Sequence, residues 1–312
     1  IVVGAGTAGL PAAIFASRRG ARVLMLDAAP DIGGTLHLST GQMSAAGTKL
    51  QKSKGIVDTP QMHYDDCMRI SHNTADPDIV RLAVFNAAAT FDWLCDNGLA
   101  PLPEHPVLGE GHEPYSERRY AWGPQGGKSI LAVLREQLKP ELASGRVELK
   151  LETPVSALLT DDAGAVVGVR VKSGLREQVY FGRHVLLTCG GYAMNPEMFE
   201  RLSGYRHYAA MSYPYSQGAG YELGVSVGGY VRGRQNYIAN FGSILQDDKV
   251  PSGFFARWQV WPQKRAPWEI YVNANARRFI REDEPSVDQR EHTLLRQPNL
   301  RYWVIFDDAI FQ

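Results

Sequence analysis

Three glycines and one carboxylate near the start of the chain have the spacing of a phosphate-binding turn. Gly4, Gly6 and Gly9 form a G-x-G-x-x-G pattern, and Asp27 closes the next apolar run. In such a turn the first glycine permits a tight bend, the second lets backbone approach a pyrophosphate, and the third allows a helix to pack closely on a strand. The carboxylate can accept a hydrogen bond from a ribose hydroxyl, and its charge disfavours a 2′-phosphate. These residues predict a dinucleotide site.

The elements around these residues form a β-α-β unit. Residues 1–3 end an apolar β-branched run, residues 10–19 are predicted to form a helix closed by Gly20, and residues 21–26 are predicted to form a second strand. The start of the helix offers N–H groups and the positive end of its dipole to phosphates. The glycine pattern therefore stands in the context that dinucleotide binding requires.

A second stretch of small residues follows Asp27 and favours FAD over NAD. It contains Gly33-Gly34-Thr35 and continues over residues 39–46 as Ser-Thr-Gly-Gln-Met-Ser-Ala-Ala. Glycines in this stretch suit the close approach of backbone to a bulky planar ligand. An acid followed within a few residues by a Gly-Gly pair is typical of FAD-binding flavoproteins with two dinucleotide-binding domains.

The composition indicates a globular protein with room for two domains. The 312 residues are 44% hydrophobic and 21% charged, with a formal net charge of zero, which gives no reason to expect nucleic acid or an anionic membrane as a partner. The apolar runs are too short for a transmembrane helix. Cys67, Cys95 and Cys189 are too few and too scattered for a disulfide framework or a metal cluster, so we interpret them as small core residues.

Both ends of the chain lie in or beside strand-like runs, so we expect a fragment of a longer protein. We expect a cytoplasmic location. Because the segment before residue 1 is missing, a signal peptide and a periplasmic location stay open.

Further elements are predicted between the motifs. A helix over residues 78–96 stops at Asn97-Gly98, and a glycine- and aromatic-rich loop over 109–127 precedes a helix over 129–142. The apolar positions of the first of these helices are Ile79, Val80, Leu82, Ala83, Phe91, Trp93 and Leu94. The predicted strands cover residues 147–151, 155–172 with a turn at 161–164, and 184–192 as a buried strand, before a helix entered at Asn195-Pro196.

Several segments resemble the fumarate reductase/succinate dehydrogenase flavoprotein family, which also includes ketosteroid dehydrogenases. Residues 33–48 and 51–60 resemble its second FAD-contacting segment. Residues 189–195 resemble its A-T-G-G-[FY]…N motif, with Cys189 beside the first glycine. Residues 218–229 resemble its G-D-G segment, with Ala219 in place of the aspartate, and residues 270–282 resemble V-N-x-x-G-[KR]-R-F-x-x-E.

The resemblance implies an α/β fold with a Rossmann-like FAD-binding domain and an α+β capping domain. The FAD-binding domain would cover residues 1–229 without its C-terminal return, and the truncated capping domain residues 230–312. FAD would be bound non-covalently, because the position that carries a flavin-linking histidine in membrane-bound relatives matches Thr35 rather than His37. The residues expected to bind it are Gly4, Gly6, Thr7, Ala8, Gly9, Asp27, Ala28, Gly33, Gly34, Thr35, Ser39, Gly41, Gln42, Met43, Val155, Cys189, Gly190 and Gly191.

The resemblance also implies an oxidoreductase acting on CH–CH groups, with hydride transfer at flavin N5 and a capping-domain residue handling the proton. Soluble fumarate reductases use an arginine for the proton, but Ser286 stands at the matching position. A relay arginine matches Arg265, whereas its glutamate partner matches Pro262. A substrate-binding histidine is missing near residues 240–241.

Other residues are candidates for this proton transfer. Arg290 follows Ser286 by one helical turn and would share its face on a helix, or it is a surface arginine beside Glu291. Tyr115 and Tyr120 would act as acid or base, as tyrosines do in ketosteroid dehydrogenases, or they line the core or a pocket.

Two alternatives stay open for the function. One is a ketosteroid Δ1-dehydrogenase-like enzyme with a large apolar pocket, and the other is a non-catalytic flavin-binding relative. Trp258, Trp261 and Trp268 are interpreted first as capping-domain packing and second as a lining for an apolar substrate. The expected partners are a small-molecule substrate and an unidentified electron donor or acceptor, and no metal site is predicted.

Overall fold

The computed structural model describes residues 1–109, 113–173, 176–209, 211–234, 241–257 and 266–308. The helices are α1 (Gly9–Arg18), α2 (Lys49–Ser53), α3 (Pro60–Ile70), α4 (Pro77–Asp96), α5 (Gly127–Ala143), α6 (Pro196–Ser203), α7 (Ala219–Ser226) and α8 (Val287–Leu294). The strands are β1 (Val2–Val3), β2 (Val23–Leu26), β3 (Met43–Ser44), β4 (Tyr120–Ala121), β5 (Val147–Lys150), β6 (Val155–Thr160), β7 (Val166–Ser173), β8 (Arg176–Phe181), β9 (Leu186–Leu187), β10 (Ser243–Leu245), β11 (Phe254–Arg257), β12 (Ile270–Asn273) and β13 (Tyr302–Ile305). Short 3-10 turns lie at Gly34–His37 and Pro298–Leu300.

A four-stranded parallel sheet, in the order β5-β2-β1-β9, lies at the centre of the N-terminal part. Helices α1 and α5 pack on one face of it around the buried side chains of Leu10, Ile14 and Leu138. On the other face, Val3 and Leu26 pack against β7 of the antiparallel sheet β6-β7-β8. The predicted β-α-β unit is confirmed, and a parallel sheet with helices gives the α/β architecture.

Strand β9 differs from the prediction of a buried strand over 184–192. It covers only Leu186–Leu187, and 47% of Leu186 is exposed. The reason is its place at the edge of the parallel sheet, where it pairs with β1 alone among the described strands. Its C-terminal end still leads into Gly190 and Gly191 beside β1.

Helix α4 forms as predicted, but much of its apolar surface is not packed. Ile79 and Leu82 are 63% and 65% exposed, whereas Phe91 and Leu94 are buried. The main hydrophobic cluster reaches α4 only through its second half, so periodicity identified the helix correctly but not which apolar residues are covered.

The C-terminal part has a hydrophobic cluster of its own. Phe241, Tyr271 and Leu294 are buried there, and the partly buried side chains packed on them are Phe279, Ile280, Tyr302 and Val304. Two antiparallel strand pairs, β10–β11 and β12–β13, accompany α8 in this part, and α8 lies between β12 and β13 along the chain. Among the described residues, every helix falls short of the combined length and apolar character that a membrane-spanning helix requires.

Helix α8 explains why a serine occupies position 286. Ser286 is the N-cap residue, and its hydroxyl accepts a hydrogen bond from the N–H of Gln289 at 3.1 Å. An arginine side chain has no acceptor and cannot make this bond. Ser286 therefore stands at the start of α8, and its carbonyl accepts a hydrogen bond from the Arg290 N–H one turn later at 3.1 Å; that Arg290 replaces the missing arginine stays a prediction.

Replacing Ser286 by alanine should lower the free energy of unfolding by about 1 kcal/mol, because one N–H group of the first turn loses its acceptor. Urea denaturation measures the change. Ser53→Ala is the matched control, since the Ser53 hydroxyl only donates to the Leu50 carbonyl at an exposed site, and it should change the value by less than about 0.5 kcal/mol. Equal effects of the two substitutions would contradict the capping role.

Candidate functional site

Two glycines of the N-terminal turn are required by packing within the protein. A Cβ atom on Gly4, whose φ is +106°, would collide with the carbonyl of Thr188 next to β9. A Cβ atom on Gly9 would collide with the carbonyl oxygen of Gly4. These residues let α1, β1 and the end of β9 approach each other closely, as the pattern predicts.

Gly6 is different, because nothing in the described protein crowds it. The nearest heavy atom to a Cβ placed on Gly6 is Cα of Gly34, at 3.9 Å. Helix α1 starts beside it without a side-chain cap at its N-cap residue Ala8, and both Thr7 and Ala8 are exposed. Free space at Gly6 next to an uncapped helix start is what a pyrophosphate needs.

Asp27 holds the turn from the end of β2. Its carboxylate accepts hydrogen bonds from the N–H groups of Ala5 at 2.5 Å and Ala29 at 2.7 Å. This bracing role was not predicted from the sequence. Each carboxylate oxygen has a further lone pair for a ribose hydroxyl, so the predicted ribose contact stays a prediction.

The other predicted cofactor segments converge on the same edge of the sheet. The N–H of Gly33 donates to the Ala5 carbonyl at 2.8 Å, and the N–H of Thr153, just before β6 and Val155, donates to the Asp27 carbonyl at 2.8 Å. The segment after β9 is joined to β1 by the hydrogen bond from the Thr188 N–H to the Val3 carbonyl at 2.8 Å. These are the carboxyl ends of β1, β2 and β9, where ligands bind in open α/β sheets.

A cleft of about 1200 Å³ connects the turn with the segment from Ser39 to Met43. Thr7 lines it together with that segment, and its remaining walls come largely from α1 and α4. The segment is anchored because the N–H of Gly127 donates to the Ser39 carbonyl at 2.9 Å, and Gly41 packs on the backbone of Gly126 and Gly127.

The predicted cofactor residues are thus brought together, and six of the thirteen outside the glycine turn are exposed. Ala28, Thr35, Ser39, Gln42, Gly190 and Gly191 are all exposed, and a Cβ on Gly190 or Gly191 would meet no atom within 4 Å. A line of small, uncovered residues at a sheet edge fits an extended dinucleotide. Which of them contact FAD stays a prediction.

Two further predictions concern side chains near this edge. His37 Nε2 lies 2.8 Å from the Ile32 carbonyl and donates to it, while Thr35 is exposed, so non-covalent attachment stays a prediction. Burial raises the pKa of the Cys189 thiol to about 11, and its Sγ donates to the Val3 carbonyl. Cys189 is therefore an inert, half-buried thiol, consistent with its interpretation as a packing residue.

A buried ion cluster is centred on Arg119, directly before β4, and no sequence pattern indicated it. Arg119 is completely buried and contacts the Asp58 carboxylate at 2.7 and 2.8 Å and the Asp66 carboxylate at 2.5 Å. Gln51 donates to the same Asp58 carboxylate at 2.8 Å. Burial by itself would raise the pKa of Asp66, but hydrogen bonds from Ser116 and Arg119 outweigh it and hold that pKa well below its usual range.

Tyr120 lies on β4 beside this cluster. β4 pairs with β3, so Ser44 stands opposite Tyr120, and the ring of Tyr120 stacks on that of Tyr115 with centroids 5.5 Å apart. Burial raises the pKa of Tyr120. The arrangement agrees with a lining role, and a catalytic role of Tyr120 stays a prediction.

Arg290 is buried, with 1% of its surface exposed, so its interpretation as a surface arginine is wrong. It lies on α8 near the rings of Tyr271 and Tyr302, and burial lowers its pKa. The Arg290 side chain lies on the buried side of α8. The polar and charged residues around it in the sequence did not indicate this burial.

The remaining predictions on the capping segment have mixed outcomes. Trp268 is 62% exposed, so its interpretation as packing is wrong. Arg265, Pro262, Trp258 and Trp261 lie outside the described residues. Among the described residues no group of three metal-binding side chains occurs.

Comparison with known proteins agrees with this geometry. Residues 1–294 match the family model described as FAD binding domain. The fumarate reductase (cytochrome) of Shewanella frigidimarina is 29% identical over 99% of this chain and 52% of its own length. The vinyl phenol reductase of Lactiplantibacillus plantarum is 29% identical over 90% of this chain and 56% of its own, and the urocanate reductase of Eggerthella lenta is 30% identical over 64% and 32%.

Among solved structures, the open conformation of a flavocytochrome c3 fumarate reductase superposes with a TM-score of 0.78 at 25% identity, covering 99% of this chain and 52% of that one. The chain thus spans about half the length of the curated relatives it matches first. Because the family model covers nearly the whole chain and the glycine turn has the required geometry, the chain belongs to the FAD binding domain family and its cofactor is FAD.

Proposed function

We propose that the protein is an FAD-dependent oxidoreductase that reduces an activated C=C bond. The observation that supports this most directly is the alignment of nearly the whole chain with a fumarate reductase, together with matches to vinyl phenol and urocanate reductases. Fumarate, vinyl phenols and urocanate share a carbon–carbon double bond conjugated to an electron-withdrawing or aromatic group. The proposal extends the activity of these longer relatives to this chain.

FAD, when bound, supplies the two-electron chemistry of such a reaction. The residues of this chain bind and orient it. The turn at Gly6 and the start of α1 would receive the pyrophosphate, Asp27 and Val155 would flank the adenosine side, and residues 33–43 would follow the remainder of the molecule along the cleft.

We propose Arg290 as the principal candidate for handling the substrate proton. The support for it is its position one turn beyond Ser286, whose carbonyl accepts a hydrogen bond from the Arg290 N–H at 3.1 Å; burial lowers the pKa of its guanidinium. Tyr120 is the second candidate, although its raised pKa works against proton donation. Arg265, the third, remains a candidate from the resemblance alone.

The domain boundary at residues 229/230 is also a proposal. It is supported by the separate hydrophobic cluster around Tyr271, which contains no residue of the two N-terminal clusters. The cytoplasmic location and the unidentified electron donor or acceptor remain proposals as well.

An anaerobic experiment tests the function. The FAD-loaded full-length protein is reduced with dithionite, and flavin reoxidation is followed at its visible absorbance after adding fumarate, urocanate or an enone steroid. Reoxidation by fumarate or urocanate is expected. Reoxidation by the enone alone would favour the ketosteroid dehydrogenase-like alternative, and reoxidation by none would favour a non-catalytic flavoprotein.

Arg290→Gln should lower kcat with the reactive substrate by about a hundredfold, because it removes the proposed proton donor. KM and flavin content should change much less. Arg296→Gln is the matched control, since Arg296 is exposed just beyond α8. A parallel loss of kcat and folding stability, without a change in the pH profile of kcat, would assign Arg290 a structural role instead.

A further inference from the structure

A second cavity lies away from the glycine turn. Its volume is about 1090 Å³, and its walls come from α6 and α7 on one side and from β10, β11, β13 and the end of α8 on the other. It shares no described lining residue with the cleft at the turn and contains none of the predicted cofactor residues. This volume can hold a small organic molecule.

Aromatic rings dominate the walls of this cavity. Tyr192 and Tyr221 form one wall, with ring centroids 5.1 Å apart in an edge-to-face arrangement. Tyr208, Tyr302 and Trp303 contribute rings from the opposite segments. Ring surfaces of this kind favour a planar, aromatic ligand, because stacked and edge-to-face contacts add to the burial of apolar area.

One cation in the wall has hydrogen-bonding capacity to spare. The guanidinium of Arg301 lies 5.0 Å from the ring centroid of Tyr208. Its Nη1 is 3.9 Å from Asp248, whose side chain is fully exposed, so this ion pair is weak. Its Nε is buried and has no hydrogen-bond partner among the described residues. A buried N–H without a partner is costly, and a ligand carboxylate would satisfy it.

The other polar groups of the wall do not compete for this role. The Nδ1 atom of His207 is buried without a partner in the described part of the chain, and burial lowers the pKa of this imidazole, which keeps it neutral. Asp247 turns to its own loop, where it accepts from the Ser252 hydroxyl at 3.1 Å and from the Lys249 N–H at 3.0 Å. Arg206 adds a second positive charge on the exposed side.

We propose that this cavity binds a planar aromatic monocarboxylate, with the ring between the tyrosine walls and the carboxylate on Arg301. Arg301 is the cation with a buried, unpartnered N–H, and it lies in the same lining as a neutral imidazole, whereas Arg206 is exposed, so the cavity suits a single negative charge better than two. The proposal goes beyond the reductase function and does not rest on it, since the two sites have no lining residue in common.

Calorimetric titration of the FAD-loaded full-length protein with 2-naphthoate, a planar aromatic acid without a reducible alkene, tests the proposal. 2-Naphthamide, which keeps the rings and lacks the charge, should bind at least about tenfold more weakly, because a charge-assisted hydrogen bond is lost. Arg301→Gln should weaken 2-naphthoate binding by a similar factor and remove the preference for the acid. Arg232→Gln is the matched control, because Arg232 is an exposed arginine outside the cavity that pairs with Asp76, and it should leave binding unchanged.

Three results would overturn the proposal: no binding of 2-naphthoate, equal binding of acid and amide, or an equal effect of Arg301→Gln and Arg232→Gln. The acid–amide comparison needs no variant, so it decides the matter even if Arg301→Gln fails to fold. His207→Phe gives a second variant inside the cavity, expected to keep the acid preference. Failure here leaves flavin content and reoxidation by C=C substrates untouched, so it is distinguishable from failure of the proposed function.

Discussion

Arg119→Met should lower the free energy of unfolding by about 3 to 5 kcal/mol, because it leaves two buried carboxylates without their cation. Both Arg119 and Asp58 have no exposed side-chain surface, and Asp66 has 7%. Methionine fills a similar volume, so the loss reports the uncompensated charges rather than a cavity. Urea denaturation at neutral pH measures it.

The same substitution should have a smaller effect in acid. The pKa of Asp66 in the folded protein is far below its unfolded value, so its contribution to stability is present above about pH 4 and is lost as the pH falls toward the folded pKa. In Arg119→Met the unpaired carboxylates can take up protons, which relieves the penalty. The difference in unfolding free energy between wild type and variant should therefore shrink between pH 7 and pH 4.

Lys139→Met is the control for this experiment, since Lys139 forms an exposed ion pair with Glu136. It should change stability by less than about 1 kcal/mol at either pH. A loss in Arg119→Met no larger than in Lys139→Met would show that the cluster is not a stabilising element. A loss that does not depend on pH would show that Asp66 is not the group responsible.

The cluster also matters for the cofactor site, because Arg119 directly precedes β4. β4 pairs with β3, which includes Met43 and Ser44, and the cleft begins with the residues just before them. The buried ion pairs fix this strand pair to α3 and to the loop that contains Asp58. We therefore expect Arg119→Met to weaken FAD binding as well as to destabilise the fold.

The sequence predicted the elements whose signals are local. The glycine turn, the β-α-β unit and the capped helices depend on residues close together along the chain, and all of them are present in the structure. Helix α8 provides the helix on which the interpretation of Arg290 depended. Only the structure shows that Ser286 is its N-cap residue.

Features that depend on distant contacts could not be predicted in this way. Arg119 binds Asp58 and Asp66, which are more than fifty residues away along the chain. The residues next to Arg119 in the sequence are largely polar and suggest an exposed loop. The burial of Arg290 and the exposure of Ile79 depend on what each helix face meets in the tertiary structure. Hydrophobic periodicity does not contain that information.

Gly6→Ala should weaken FAD binding by about 3 to 6 kcal/mol, the value of two charge-assisted hydrogen bonds to the pyrophosphate, without destabilising the apoprotein. The structure separates these effects. An added methyl group at Gly6 meets nothing closer than 3.9 Å in the protein, yet it occupies the space next to the uncapped start of α1. Retained flavin after gel filtration and the unfolding midpoint of the apoprotein measure the two quantities.

Two other glycines make the test selective. Gly9→Ala should lose stability and FAD together, because its methyl group would collide with the Gly4 carbonyl, whereas Gly224→Ala places a methyl group in open space on α7 and should lower neither. If Gly6→Ala retains FAD as wild type does, the pyrophosphate does not approach this turn. If it unfolds like Gly9→Ala, then the glycine serves the fold rather than the cofactor. The expected result is an intact apoprotein that no longer holds its flavin. It would show that Gly6 serves FAD binding, because the bound cofactor, and not the surrounding protein, then requires a residue without a side chain at this position.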